Sequence, residues 1–149
     1  MAMNMDGEVL LEAPRDYVWQ KLNDPEVLKQ CIPGCEELEK REDDNGFHTV
    51  AKLKVGPISA RFRGNVTLTD LNPPNSYRIS GEGDGGISGF AKGGANVTLS
   101  DKDGGTLLTY QVTADIGGKL AQLGARLISG TAKKMADQFF AKLAEAVRT

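Results

Sequence analysis

The chain is short of the residues on which most enzyme and metal chemistry depends. It has two cysteines and one histidine. A structural zinc site takes four Cys/His ligands, one more than are present, so no metal is expected. A Ser-His-Asp or Cys-His mechanism would have to run through His48 alone. No stretch approaches the roughly 18 apolar residues of a membrane-spanning helix. Met1-Ala2-Met3-Asn4-Met5-Asp6 has neither the basic region nor the apolar core of a signal peptide. Met1 to Asn4 therefore read as a flexible leader to a single domain over 5–149. An excess of positive charge is also missing: 18 basic against 20 acidic residues leave a net charge of −2. A nucleic-acid partner would call for the opposite balance. These absences predict a cytoplasmic, non-enzymatic protein with reduced thiols and no cofactor.

Glycine, by contrast, is plentiful, at 18 of 149 residues, above the usual share of about 7%. Its placement follows from the element pattern. Glu8 to Glu12 predict a first strand. Pro14 marks a helix start, and Asp24-Pro25-Glu26 marks a second, with Asp24 as N-cap and Pro25 at the first helical position. Pro33-Gly34 ends it. From Cys35 the apolar period becomes two. Phe47, Thr49, Ala51, Leu53 and Val55 share one face, and Ile58, Ala60, Phe62, Gly64, Val66 and Leu68 share the next. Tyr77, Ile79, Gly81 and Gly83 continue the pattern. A strand from Ile87 to Leu99 and a last one through Leu108, Tyr110, Val112, Ala114 and Ile116 complete it. After Lys119 the period turns helical, with Leu120, Gly124, Leu127, Ile128, Met135, Phe139, Leu143 and Val147 on one arc, a helix of about eight turns.

This order predicts an α+β fold: a curved antiparallel sheet of six or seven strands around a long C-terminal helix, with two short helices after the first strand. Consecutive antiparallel strands curl as they twist, and only the last helix is long enough to cover the concave face.

Several motifs have plain structural readings. Gly81-Glu82-Gly83-Asp84-Gly85-Gly86 fits G-x-G-x-x-G, but a strand follows it where a dinucleotide site needs a helix, so it reads as a hairpin. His48 falls on the outer face. Cys31 and Cys35 read as free thiols. Asn65 to Asp70 is echoed by Asn96 to Asp101, two strands ending in similar turns. Glu36-Glu37 through Glu42-Asp43-Asp44 read as a solvated acidic stretch at a hairpin tip.

The motifs Cys31-Ile32-Pro33-Gly34-Cys35, Val55-Gly56-Pro57-Ile58, Phe62-Arg63-Gly64, Gly89-Phe90-Ala91-Lys92-Gly93-Gly94-Ala95, Gly117-Gly118-Lys119-Leu120 and Met135-Ala136-Asp137-Gln138-Phe139-Phe140 together resemble the carbon monoxide dehydrogenase G-subunit family, over about Met5 to Val147. That family lies in the START-like, helix-grip SRPBCC superfamily. The resemblance implies a cavity between sheet and helix and service to the subunits of a molybdenum hydroxylase. Roles proposed in the family are maturation, membrane recruitment and carriage of a lipid-like or quinone molecule. Some members carry a C-terminal tail that reaches the membrane; none is expected in this chain after Thr149.

The residues themselves also suggest a cavity. On the strand from Ile87 the presumed inner face reads Gly89, Ala91, Gly93 and Ala95, nearly bare, and the facing helix is bare at Ala121, Gly124 and Ala125. Cores otherwise pack to crystal-like density, so bare strand opposite bare helix means either close backbone approach or a pocket. The pocket reading takes Leu53, Phe62, Ile79, Gly89, Ala91, Gly93, Tyr110, Gly124, Leu127, Ile128 and Met135 as ligand-binding residues for a hydrophobic small molecule, with Tyr110 or Thr49 as a polar group. Phe90 points outward, the candidate partner-facing residue. Together with the basic stripe of Lys119, Arg126, Lys133 and Lys134, it is a candidate for peripheral membrane contact. The alternative function is an assembly or recruitment factor that works through this outer surface. A cyclase- or hydrolase-like enzyme would need an acid and a base inside the pocket, where the inward residues are apolar.

Overall fold

The computed structural model describes residues 1–41 and 46–148. The acidic tip expected at Glu42-Asp43-Asp44 lies outside the described residues. Strand β1 (Ala2–Leu11) leads to helices α1 (Arg15–Leu22) and α2 (Pro25–Cys31), then to strands β2 (Cys35–Lys40), β3 (Gly46–Val55), β4 (Ile58–Asn72), β5 (Ser76–Asp84), β6 (Phe90–Lys102) and β7 (Gly105–Gly117), and finally to helix α3 (Ala125–Val147). The strands form one antiparallel sheet in the order β1-β7-β6-β5-β4-β3-β2. This is the helix-grip arrangement expected from the sequence.

Local chemistry explains most boundaries. The Asp24 carboxylate accepts a hydrogen bond from the Glu26 N–H at 2.9 Å and caps α2. Asp103 and Gly104 both have positive φ, 52° and 80°, the requirement of the two-residue turn that joins β6 to β7. Asp84 ends β5, and its Oδ1 accepts from the Gly86 N–H at 2.7 Å, so the glycine-rich motif is indeed a hairpin connection.

Three expectations are corrected. Residues 2–4 are not a leader: Ala2, Met3 and Asn4 pair with Asp115, Ala114 and Thr113 of β7. Met3, Met5, Val9 and Leu11 alternate onto the inner face, and β1 covers what would otherwise be an unpaired sheet edge. The strand expected from Ile87 begins at Phe90, because Gly86–Ser88 form a 3-10 turn and leave Ile87 84% exposed. The last helix is broken at Gly124, whose φ of +93° lies outside the helical region. A 3-10 segment over Gly118–Leu123 precedes it.

The core has two parts. The larger joins α1, α2 and the second half of α3 to the sheet through Leu11, Leu22, Leu28, Leu108, Leu143 and Val147. The smaller lies where α3 begins and holds Met3, Val55, Phe62, Ile116, Leu120 and Ile128. Thr106, fully buried, is satisfied by donating to the Ala13 carbonyl at 2.7 Å. No described helix is long and apolar enough to cross a membrane.

Cys31 is buried in the larger core, and burial pushes its thiol pKa up to about 11 from 9.0. Cys35 is half-buried. At pH 8, one thiol per chain, Cys35, should react with a maleimide or disulfide reagent, and Cys31 should react only after unfolding, because thiolate is the reacting form. Two equally fast thiols in the native protein would contradict this burial. The sign for stability follows. Between about pH 9 and 11 the unfolded chain gives up the Cys31 proton and the folded chain keeps it, so this thiol's contribution to stability falls as pH rises through that window.

Candidate ligand-binding cleft

Between the two parts of the core, side chains stop filling the space beneath α3. The floor comes from the inner face of the sheet: Tyr77 and Ile79 on β5, Ala95 and Val97 on β6, Tyr110 and Val112 on β7. The roof is Met135, Ala136, Phe139 and Phe140 of α3, and Leu22, Ile32 and Pro33 close one side. These surround a cleft of about 240 Å³. The α3 residues fall at spacings of three and four, one helical face. The floor residues follow the period-two face, and register places them in rows: Tyr77 opposite Val97 and Ile79 opposite Ala95, Ala95 opposite Val112 and Val97 opposite Tyr110.

Aromatic rings shape this space. Tyr110 stacks on Phe140 with centroids 4.7 Å apart and 22° between planes. Phe140 meets Phe139 edge-on at 5.1 Å. On the far side Trp19 meets Tyr77 edge-on at 5.5 Å. Burial raises the Tyr77 phenol well above its ordinary pKa, so it stays neutral across the physiological range. The Tyr110 ring leans over Gly7 of β1, where any side chain would strike it. That glycine lets the ring lie flat against the sheet. No Asp, Glu, His, Lys or Arg is among the lining residues. The cleft thus offers dispersion and ring stacking.

Of the expected pocket residues, Ile79, Tyr110 and Met135 come together here. The others are elsewhere. Phe62 and Ile128 are buried in the smaller core, with Leu53 and Ala91 packed against it, so they fill space. Gly93 faces inward, but a side chain there would run into the Thr113 carbonyl and Ala114 of β7. Its bareness serves close strand approach. Gly89 sits in the β5–β6 connection at φ +111°, its backbone against Gly117 and Leu120. Gly124 is the break before α3, with open space around it, and Leu127 reaches across to Gly56 in the β3–β4 turn, 38% exposed. Thr49 donates to the Glu37 carbonyl at 3.1 Å instead of facing the cleft. Both readings of the bare faces thus hold in part: close approach at Gly93, and an opening farther along the same strands.

Sequence reasoning did not single out Tyr77, Ala95, Val97, Val112, Ala136, Phe139 and Phe140 as lining, although the periodicity put most of them on the correct face. For Ile32 and Pro33 no periodic signal exists. Beyond Ile79 the floor continues as Gly81, where an added side chain would meet only the Asn65 carbonyl at 3.7 Å, and as Val66 and Gly64, all half-buried. The cleft, at about 240 Å³, is smaller than the roughly 300–1,000 Å³ of drug-sized sites.

The outer face of the sheet has depressions as well, one of about 340 Å³ lined by Arg41, Thr67, Arg78, Glu82 and Lys92. They are polar and of mixed charge. Within them, Asn65 Oδ1 is buried without a hydrogen-bond partner among the described residues. His48 is exposed on this face. Phe90 also points outward, its ring lying over Gly117 and 45% exposed.

Residues 7–148 match the family model for the G subunit of carbon monoxide dehydrogenase (CoxG). No curated protein matches the sequence. Among solved structures, a conserved protein from Geobacillus kaustophilus is 32% identical, with 97% of this chain and 95% of that one covered and a TM-score of 0.91. TTHA0849 from Thermus thermophilus is 19% identical, with 97% of each chain covered and a TM-score of 0.73. The ZhuI aromatase/cyclase from Streptomyces sp. R1128 is 13% identical, with 99% and 94% covered and a TM-score of 0.68. The last two likenesses establish the fold and no more.

Proposed function

Since the chain belongs to the carbon monoxide dehydrogenase G-subunit (CoxG) family, we propose that it is an accessory protein that holds a hydrophobic, ring-bearing small molecule, a quinone or a lipid-like compound, beneath α3. It does so in the cytoplasm, on behalf of a molybdenum hydroxylase. The observation that carries this reading is the cleft: apolar throughout, roofed by Met135 and Phe139, with the stacked pair Tyr110 and Phe140 at its edge. Covering about 200 Å² of apolar ligand surface there contributes roughly 5 kcal/mol before entropic costs. Such an affinity retains a cargo and still releases it. The protein acts as a binder and not an enzyme, because the lining supplies no acid–base pair to a bound molecule.

Native mass spectrometry of freshly purified protein tests this. The expected spectrum shows a mass above that of the bare chain, and organic extraction removes the excess. A bare mass, together with no uptake of an added short-chain quinone or fatty acid, would refute the cleft as a binding site.

The exposure of Phe90 favours a second reading, an assembly or recruitment factor acting through its outer surface. In that case Phe90→Ala abolishes capture of the partner enzyme while filling the cleft leaves capture intact.

A further inference from the structure

The two edges of the sheet are finished differently. β2 has six residues, ends on Lys40, and carries a bulge between Cys35 and Glu37 in its pairing with β3. Shortness, an edge lysine and a bulge all keep an edge from pairing with another chain. β1, at the other edge, has none of them. It runs for ten residues without lysine or proline, in unbroken register with β7. Met5 and Val9 join the core on its inner side.

The phase of the hydrogen bonds defines what β1 offers. The Met1 carbonyl accepts from the Ile116 N–H, and the N-terminal ammonium donates to the Ile116 carbonyl, both at 2.7 Å. Bonded and non-bonded pairs alternate along an antiparallel ladder. Met3, Met5, Gly7, Val9 and Leu11 therefore bond to β7, while Ala2, Asn4, Asp6, Glu8 and Leu10 turn their N–H and carbonyl groups away from it. Among the described residues, no backbone bond outside the ladder reaches these five, and all five are exposed. Their side chains stand on the outer face. Asp6 and Glu8 are in no ion pair among the described residues, and their neighbours on β7 are the uncharged Gln111 and Thr109. A second copy of this strand is a poor partner. Antiparallel pairing centred on Asp6 sets Asp6 against Asp6, and pairing centred on Gly7 sets Asp6 against Glu8. Like charges directly opposite destabilise a sheet.

We propose that the free edge of β1 takes up an extended basic segment of a partner protein as a further strand. Its main chain bonds to Asn4, Asp6 and Glu8, and its Lys or Arg side chains lie opposite Asp6 and Glu8 on the outer face. The residues between them are apolar and face inward beside Met5. Main-chain bonds supply the affinity of such strand addition and alternate side chains its selectivity. The edge uses none of the residues that line the cleft and works whether or not the cleft holds a cargo.

A synthetic peptide of alternating lysine and valine tests this on the full chain, read by amide hydrogen exchange and fluorescence anisotropy. In the free protein the amides of Asn4, Asp6 and Glu8 should exchange faster than those of Met5, Gly7 and Val9, and the peptide should slow them. Backbone N-methylation of the peptide's lysines removes the donors that face β1 and should lower affinity at least about tenfold. Asp6→Asn combined with Glu8→Gln should do the same. Glu37→Gln combined with Glu39→Gln, the same change of charge at the β2 edge, should leave binding unchanged, as should Ala95→Phe inside the cleft. No slowing of the Asn4, Asp6 and Glu8 amides at millimolar peptide, undiminished binding of the N-methylated peptide, or equal loss with the β2-edge variant each overturns the proposal. Slowing of the same amides at high protein concentration without peptide would assign the edge to a second copy and overturn it too.

Discussion

Replacing Ala95 with phenylalanine is expected to abolish cargo binding, at least a tenfold loss in the bound fraction, with little loss of stability. Ala95 lies mid-floor, between Ile79 and Val112 in register, and its methyl faces the 240 Å³ space. A ring added there enters a void and not packed atoms, so the usual overpacking cost of about 1–3 kcal/mol is largely avoided. The ring would occupy the place where a ligand ring would lie, under Met135 and Phe139. Gly93→Phe, two residues earlier on the same face, should behave differently. Its side chain would press on the β7 backbone at Thr113 and Ala114, so it should unfold the sheet locally and lose binding by another route. The mass excess in native spectra and the thermal midpoint separate the two cases. An Ala95→Phe protein that keeps its full mass excess would place the ligand outside the cleft.

The largest stability effect is expected from Leu143→Ala. Leu143 is 1% exposed and lies in the larger core with Leu22, Leu28 and Val147. Truncation removes transfer energy and leaves a cavity, together about 2–5 kcal/mol. For a chain of this size each kcal/mol moves the midpoint by roughly 2–4 °C, so a fall of about 10 °C is expected by circular dichroism. Ile87→Glu, on the exposed turn, should stay within about 0.5 kcal/mol of the parent. A Leu143→Ala protein as stable as the parent would mean that the end of α3 does not pack on α1 and α2. Ala95→Phe and Leu143→Ala together separate the two roles of α3: its last turns anchor it, and Met135 to Phe140 roof the cleft.

How far the sequence could be read depended on the kind of signal. Alternation through β4, from Phe62 to Leu68, and the helical arc from Ile128 to Val147 are local patterns, and they predicted strands, faces and the covering helix correctly. Capping by Asp24 and the turn at Asp103-Gly104 are local as well. The N-terminal residues were misread because so few of them precede Met5 and their partner strand lies far along the chain. Alternation over so few positions is too weak to be seen without that partner. Likewise Gly124 lies on the apolar arc of an ideal helix, and only the backbone shows that the arc is broken there.

The candidate site was legible by face but not by depth. Phe62, Ile128 and Met135 face the same space between sheet and helix, yet the first two fill it and the third roofs an opening. What separates them is packing: α3 is held by buried side chains at Ile128 on one side and at Leu143 and Val147 on the other, and the opening lies under the residues between. Residue spacing along one chain carries the direction in which a side chain points. It does not carry the distance to what it meets. The pattern of apolar and small residues therefore determined the helix-grip architecture and the inward face of each element. Only the packing of these elements together decided that Gly93 meets a neighbouring backbone while Ala95, on the same strand and face, borders empty space.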